Sequence, residues 1–271
     1  MDINDIIELY LSGKSLAFIA NKYNTYGAKI KKLLNENGVQ TRTHAEQNKI
    51  MNQERGKKVN HTYFDKIDSL QKAWILGFLA ADGSISSNKN RIKIGLSAVD
   101  EEILHKIRKA IDIECNVVVS ETNQGFSIAT LAWSSENQKQ KLAHFSIVPN
   151  KTYKGMSLPL FEESYQLAFL LGYFDGDGCF KDDGNYCRME ICSHDPRILE
   201  DFCELIKNYF GFEKTVYKNP SREEYYTITY STQQAKVILE KLYDLMDADN
   251  AFYLARKREK YNKWLEQNNR L

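Results

Sequence analysis

The chain has 271 residues, 42% of them hydrophobic and 27% charged, which suffices for a packed core and argues against wholesale disorder. Four prolines and 14 glycines exclude a collagen-like or linker-dominated chain, and no run of about 18 apolar residues suggests a membrane span. The net charge of +1 conceals an asymmetry: residues 1–60 hold 10 Lys+Arg against 6 Asp+Glu, so the excess of positive charge lies at the N-terminal end.

The start, MDINDIIELY, is acidic and lacks the basic and apolar regions of a signal peptide, so a soluble, cytoplasmic protein is expected. Ile3, Ile6, Ile7 and Tyr10 recur at helical spacing up to Gly13. Ser15 caps a second predicted helix with Leu16, Ile19 and Ala20 inward, and NTYG forms a turn. A third predicted helix places Ile30, Leu33 and Leu34 on one face, carries Lys29, Lys31 and Lys32 around the other, and ends at Gly38. Short helix, turn and basic helix form a helix-turn-helix pattern, and residues 9–42 resemble resolvase-type helix-turn-helix segments. That resemblance implies a DNA-binding unit over 1–44, with Lys29, Lys31, Lys32 and Arg42 as DNA contacts. A generic three-helix bundle with a solvated lysine face is the alternative. Residues 45–62 lose apolar periodicity and include RGKK at 55–58, which reads as a basic linker tracking phosphates or a plain solvated tether.

The remainder carries an internal repeat at an offset of 95, pairing Gln71 with Gln166, Ala73 with Ala168, Gly77 with Gly172, Asp82 with Asp177 and Asp100 with Asp195. Strands are expected near 83–86, 91–97, 115–121 and 126–133, then near 187–193, 214–218 and 225–231. Alternation is clearest in RIKIGLS, with Ile92, Ile94 and Leu96 facing one way. The expectation is an α+β protein of two αββαββα units, over 63–160 and 161–271. Five cysteines without a CxxC pair indicate neither disulfides nor a standard zinc site. Cys187, Cys192 and His194 lie close in sequence, but ordinary reduced cysteines are the simpler reading.

The strongest segments are AWILGFLAADGSI (73–85) and AFLLGYFDGDGCF (168–180), apolar helices ending in Asp-Gly. Gly77 and Ala81, like Gly172 and Gly176, are four apart, so each helix has a small-residue face that allows close backbone approach. Close packing brings Asp82 and Asp177 together at two helix C-termini, where negative charge is disfavoured. A hard divalent cation relieves that conflict, and paired carboxylates holding such ions suit phosphodiester hydrolysis.

ILGFLAADG and LLGYFDGDG resemble the two copies of the motif that names the LAGLIDADG homing endonucleases, and the likeness extends over about 62–262. NKTYKGMSLP (150–159) and YLARKREKYNKW (253–264) resemble segments that close the family's repeats. The resemblance implies two antiparallel sheets forming a DNA saddle, and site-specific double-strand cleavage leaving short 3′ overhangs. It implies Asp82 and Asp177 as catalytic acids, metal ligation by them with the Ala81 and Gly176 carbonyls, and motif glycines Gly77, Gly83, Gly172 and Gly178. Mg²⁺ is the implied cofactor, with Mn²⁺ as a substitute and Ca²⁺ supporting binding without cutting. The implied partner is a long, asymmetric duplex bound by a monomer, and a phage or bacterial mobile element is the expected source. A transcription regulator that no longer cuts, or an intron RNA maturase, are the alternatives.

Where most members carry an acid two residues before the catalytic one, the first copy has Ala80 and the second keeps Asp175, so asymmetry is expected. Lys139, Lys141 and Lys236 lie near the ends of the last strands, where single-chain members often place a lysine. Further DNA contacts are expected from the outer strand faces: Arg91, Lys93 and Ser97 in the first copy, Arg188, Glu190, Tyr217 and Lys218 in the second. A solvated sheet face is the alternative for each.

Overall fold

The computed structural model describes residues 2–47, 50, 59–122, 124–222, 224–248 and 252–268, and it divides into two compact units, Met1–Lys58 and Val59–Leu271. No helix among the described residues is long and apolar enough to cross a membrane.

The first unit contains α1 (Ile3–Leu11), α2 (Leu16–Lys22) and α3 (Gly27–Glu36). Asp2 and Ser15 cap the first two through Asn4 N and Phe18 N, and Gly38 closes the third with φ +74° while Val39 N reaches Leu34 O. Ile6, Tyr10, Ile19, Ala20, Ile30 and Leu34 form its small core, and Leu16 and Leu33 are partly buried against it. Thr43 and Glu46 form a reciprocal capping box, and the Gln47 amide donates to Gly13 O. The first part of the expected linker is therefore tied to this unit. RGKK at 55–58 lies outside the described residues.

In the second unit, α4 (Leu70–Asp82), β1 (Gly83–Ile85), β2 (Arg91–Ser97), α5 (Glu101–Ala110), β3 (Val118–Glu121), β4 (Ser127–Ser134) and α6 (Glu136–His144) make the first repeat. A short α7 (Lys151–Lys154) follows. The second repeat is α8 (Glu163–Asp177), β5 (Gly178–Asp183), β6 (Tyr186–Ser193), α9 (Pro196–Phe210), β7 (Tyr217–Lys218), β8 (Tyr226–Ser231) and α10 (Thr232–Asp247), closed by α11 (Ala255–Asn268). Two four-stranded antiparallel sheets result, ordered β1-β2-β4-β3 and β5-β6-β8-β7. This is the expected duplicated αββαββα architecture.

Helices α4 and α8 are buried from Ala73 to Ala80 and from Leu167 to Asp175, as helices apolar on all sides must be. They lie against each other at the centre, with sheets and flanking helices around them. On β2, Ile92, Ile94 and Leu96 are buried while Arg91, Lys93, Gly95 and Ser97 are exposed. Val59, Tyr63 and Phe64 belong to this core, so the end of the expected linker is folded into the second unit.

Several strands depart from expectation. β5 was not expected: only Phe180 among its residues is buried, so GCFKDD carries almost no alternation, yet it pairs with β6 along its length. β3 begins at Val118 rather than Cys115, and β7 is confined to Tyr217–Lys218; both are exposed edge strands. The 95-residue offset holds for α4 with α8 and α5 with α9 but becomes 97 along β2 with β6 and β4 with β8. Gly83 pairs with Ile94 whereas Gly178 pairs with Ile191, because the β5–β6 hairpin is two residues longer. The 3-10 turn at Ala98–Asp100 lies in the first copy, where the second goes from β6 into α9 through Asp195. Gly95 is therefore the counterpart of Cys192, and the single residue His194 stands where the first copy has Ser97 and the start of the 3-10 turn.

Candidate active site

The site grows from the contact of α4 with α8. A Cβ on Gly77 would overlap the Phe169 carbonyl, and one on Gly172 would overlap the Trp74 carbonyl. A Cβ on Gly176 would overlap the Ala81 methyl and sit 3.3 Å from an Asp82 carboxylate oxygen. The small-residue faces thus let backbone meet backbone. Gly83 and Gly178 act differently: a Cβ on either would strike the last turn of its own helix, at Leu79 O and Phe174 O. They allow the abrupt exit from helix into strand and take no part in the contact between helices.

That exit leaves Asp82 and Asp177 as the last residues of the paired helices. Burial, and after it the Asp177 charge, raise the Asp82 carboxyl to about 6, against the opposing pull of Lys257 and Lys151. Asp177 is also raised by burial, and Lys151, Lys257, His194 and a hydrogen bond from Tyr173 act in the other direction.

Two lysines that the sequence reading did not assign complete the centre. Lys151 Nζ donates to Ala81 O at 2.9 Å and Gly83 O at 2.5 Å. Lys257, 7% exposed, donates to Phe174 O at 2.6 Å, Asp175 O at 2.7 Å and Gly178 O at 2.6 Å. Each caps the end of one central helix, where cations are favoured. Burial lowers the pKa of both, and the nearby carboxylates oppose this. The one available signal was their position in the two closing segments, 150–159 and 253–264. Lys139 instead donates to Lys89 O at 2.9 Å, Lys141 lies 3.9 Å from Asp65, and Lys236 lies on α10.

Asp175 is a structural acid. Its Oδ2 accepts from Trp74 Nε1 at 3.0 Å and Leu254 N at 3.1 Å, while Oδ1 is buried without a hydrogen-bond partner. Burial raises this carboxyl to about 7. It joins α4, α8 and the approach to α11, a role for which Ala80 has no side chain. Asp175→Ala is expected to cost about 2–4 kcal/mol by stranding two buried donors, whereas Asp175→Asn should stay within about 1 kcal/mol of the parent. Urea unfolding of the two variants checks this.

A cleft of about 350 Å³ opens beside Asp177, lined among others by Lys151, Tyr173, Cys192, His194 and Tyr225. Cys192 Sγ donates to Asp177 O at 3.0 Å. Cys187 is buried elsewhere with its thiol toward Thr232 O, so Cys187, Cys192 and His194 do not converge. Among the described residues no group of three or more His, Cys, Asp or Glu side chains is arranged to hold a metal. The donor set still suits a hard divalent ion: two half-buried carboxylates whose mutual repulsion a cation would relieve, backbone carbonyls, and room for water. Of the two expected carbonyl ligands, Ala81 O already accepts from Lys151.

The expected DNA contacts lie in several places. Arg91, Lys93 and Ser97 are exposed along one face of β2. Arg188 and Glu190 stand at the matching points of β6 but are ion-paired, with Asp183 at 2.8 Å and Lys181 at 2.9 Å. Tyr217 and Lys218 are exposed on the edge strand. In the first unit Lys29, Lys31 and Lys32 are exposed. Arg42 is not: its guanidinium donates to Tyr10 O at 2.6 Å and Lys14 O at 3.0 Å and stacks 4.0 Å over the Tyr10 ring. The structure commits Arg42 to the helix bundle.

Two αββαββα repeats joined through glycine-notched helices, each ending in Asp-Gly, define a duplicated α+β fold with one central acidic site. The LAGLIDADG-like domain profile matches residues 69–141 and again 164–243. The chain belongs to the LAGLIDADG-like domain family. No curated protein matches the sequence. Solved structures of similar fold include the I-LtrWI LAGLIDADG homing endonuclease bound to target DNA, at 15% identity and TM-score 0.45, covering 76% of this chain and 89% of that one. I-SmaMI bound to an uncleaved DNA target in the presence of calcium ions is 14% identical with TM-score 0.45, over 76% and 93%. Full-length WhiA from Thermatoga maritima is 17% identical with TM-score 0.47, over 77% of this chain and 64% of that one.

Proposed function

We propose that this protein is a site-specific, divalent-metal-dependent double-strand DNA endonuclease of the homing type. It works as a monomer on a long asymmetric duplex, in the cytoplasm of a bacterial or phage-infected cell that carries it on a mobile element. The observation that carries this reading is the pair Asp82 and Asp177, held half-buried at adjoining helix ends with two lysines beside them. A fold kept only for binding has no need of that arrangement, because clustered desolvated carboxylates repel both each other and DNA phosphates.

In this reading Asp82 and Asp177, with the Ala81 and Gly176 carbonyls, would hold Mg²⁺. When bound, such an ion would supply Lewis acidity for the attack of water and the departure of the ester oxygen. Lys151 and Lys257 fix the helix-end carbonyls and offset negative charge as the phosphate enters. One P–O bond forms to the water oxygen, one ester P–O bond breaks, and the departing oxygen is protonated. Arg91, Lys93 and Ser97 read one half-site, and Arg188, Glu190, Tyr217 and Lys218 the other.

The first unit adds affinity through Lys29, Lys31 and Lys32, by raising the effective concentration of the repeats at the site. Replacing all three by Ala should weaken target binding and reduce the slope of log K against log salt by about 3. Titrations at several salt concentrations measure that slope. The reading as a whole is tested by incubating the protein with a randomised duplex library in Mg²⁺ and sequencing new ends. One long recurrent motif at cut ends supports it; recovery of a bound motif without ends supports a regulator instead.

A further inference from the structure

The repeats are alike in backbone but differ beside their acids. Next to Asp177 lie Cys192 on β6 and, one residue past the paired ends of β6 and β8, His194 and Tyr225; the register matches Cys192 with Gly95 in the first sheet, whose last pair is Ser97 with Ile128. The His194 ring is exposed in the cleft yet held by edge contacts, 6.4 Å from Tyr153 and 6.3 Å from Tyr225 between centroids. The same cleft takes in Lys151. That ammonium uses two of its three N–H donors on Ala81 and Gly83 carbonyls, which leaves one to offer a ligand. Its counterpart Lys257 uses all three on carbonyls.

We propose that the Asp177-side cleft is a phosphate seat for one DNA strand only, with His194 as the contact that distinguishes it, so that the two strands are cut in sequence through a nicked intermediate. This rests on the endonuclease reading and specifies its course. The seat has a ring N–H between two aromatic neighbours, a lysine with an unspent donor and an opening of about 350 Å³; of its two carboxylates, Asp195 is ion-paired with Arg197 at 2.7 Å and Asp177 is the acid whose charge a divalent cation would neutralise. On the other side Ser97 and Gly95 offer one short hydroxyl and no side chain, and Lys257 has no donor to spare. His194 does not hold the fold together: it is exposed, and its removal leaves no buried group stranded.

The test uses a duplex carrying the target, labelled separately on each strand, and the full-length protein in Mg²⁺. Wild type should pass through a nicked species with one strand cut several-fold faster. His194→Ala should slow one strand about tenfold, the loss of one hydrogen bond to a charged group, and leave the other within about twofold. His194→Gln should recover part of that loss, since its amide can still donate, and neither variant should change the melting temperature. Equal strand rates in the wild type, or equal slowing of both strands in His194→Ala, overturn the proposal while leaving the endonuclease reading intact. A wild type that binds the target and cuts neither strand removes that reading, and this one with it.

Discussion

Asp82→Asn should lower DNA cutting by about a thousandfold or more, leave target binding in place, and raise the melting temperature in metal-free buffer at pH 8. The first effect follows from ligation: a neutral amide is a poor partner for a hard divalent ion, and a thousandfold loss corresponds to about 4 kcal/mol of transition-state stabilisation. The last follows from desolvation. Burial and the Asp177 charge hold the Asp82 carboxyl at about 6 in the folded chain, above the ordinary 3.8. The folded state then binds more protons than the unfolded one between these values, so stability falls as pH rises through that window. The cost at pH 8 is on the order of 1–3 kcal/mol, and the amide removes it. Well below pH 3.8 the carboxyl is protonated in both states and the two proteins should melt together. Calorimetry in chelator across about pH 3 to 8, beside a cutting assay, checks both parts. A variant that melts below wild type at pH 8 would contradict the electrostatic account of the site.

Gly172→Val should cost at least about 3 kcal/mol and remove activity through folding rather than chemistry. A Cβ at this position collides with the Trp74 carbonyl and crowds Phe78 N, and both obstacles are backbone. No rotamer change relieves such an overlap, so α4 and α8 must separate. Separation moves Asp82 away from Asp177 and disrupts the buried bond from Trp74 to Asp175. The variant should show a shifted denaturant midpoint and enhanced dye binding to exposed apolar surface. Gly38→Ala, at a strained but open position, should cost only about 1 kcal/mol.

The central helices and their acids were legible because one local pattern, small residues four apart followed by Asp-Gly, fixes both the close packing and the place where the two acids meet. The face of β2 was legible for the same reason, since Ile92, Ile94 and Leu96 alternate with charge. β5 was not, because it has one buried side chain and owes its extension to pairing with β6. The two-residue growth of the second hairpin was hidden because a shorter strand-to-helix connection compensates it, so the helices realign at 95. Lys151 and Lys257 lie 70 and 83 residues from carbonyls they bind, Ala81 O and Phe174 O, a path that no local spacing reveals. Arg42 looked like a free cation because its acceptors, Tyr10 O and Lys14 O, are backbone atoms that every residue has.

The proposed nuclease activity rests on the paired acids Asp82 and Asp177. The most direct measurement forms the complex of wild-type protein with its selected duplex in Ca²⁺, then adds excess Mg²⁺ and follows the DNA. A stable, uncut complex in Ca²⁺ should yield double-strand breaks at one position after Mg²⁺ is added, with no breaks from Asp82→Asn. A duplex that stays bound and intact after Mg²⁺ addition would contradict the account and leave a DNA-binding protein in its place.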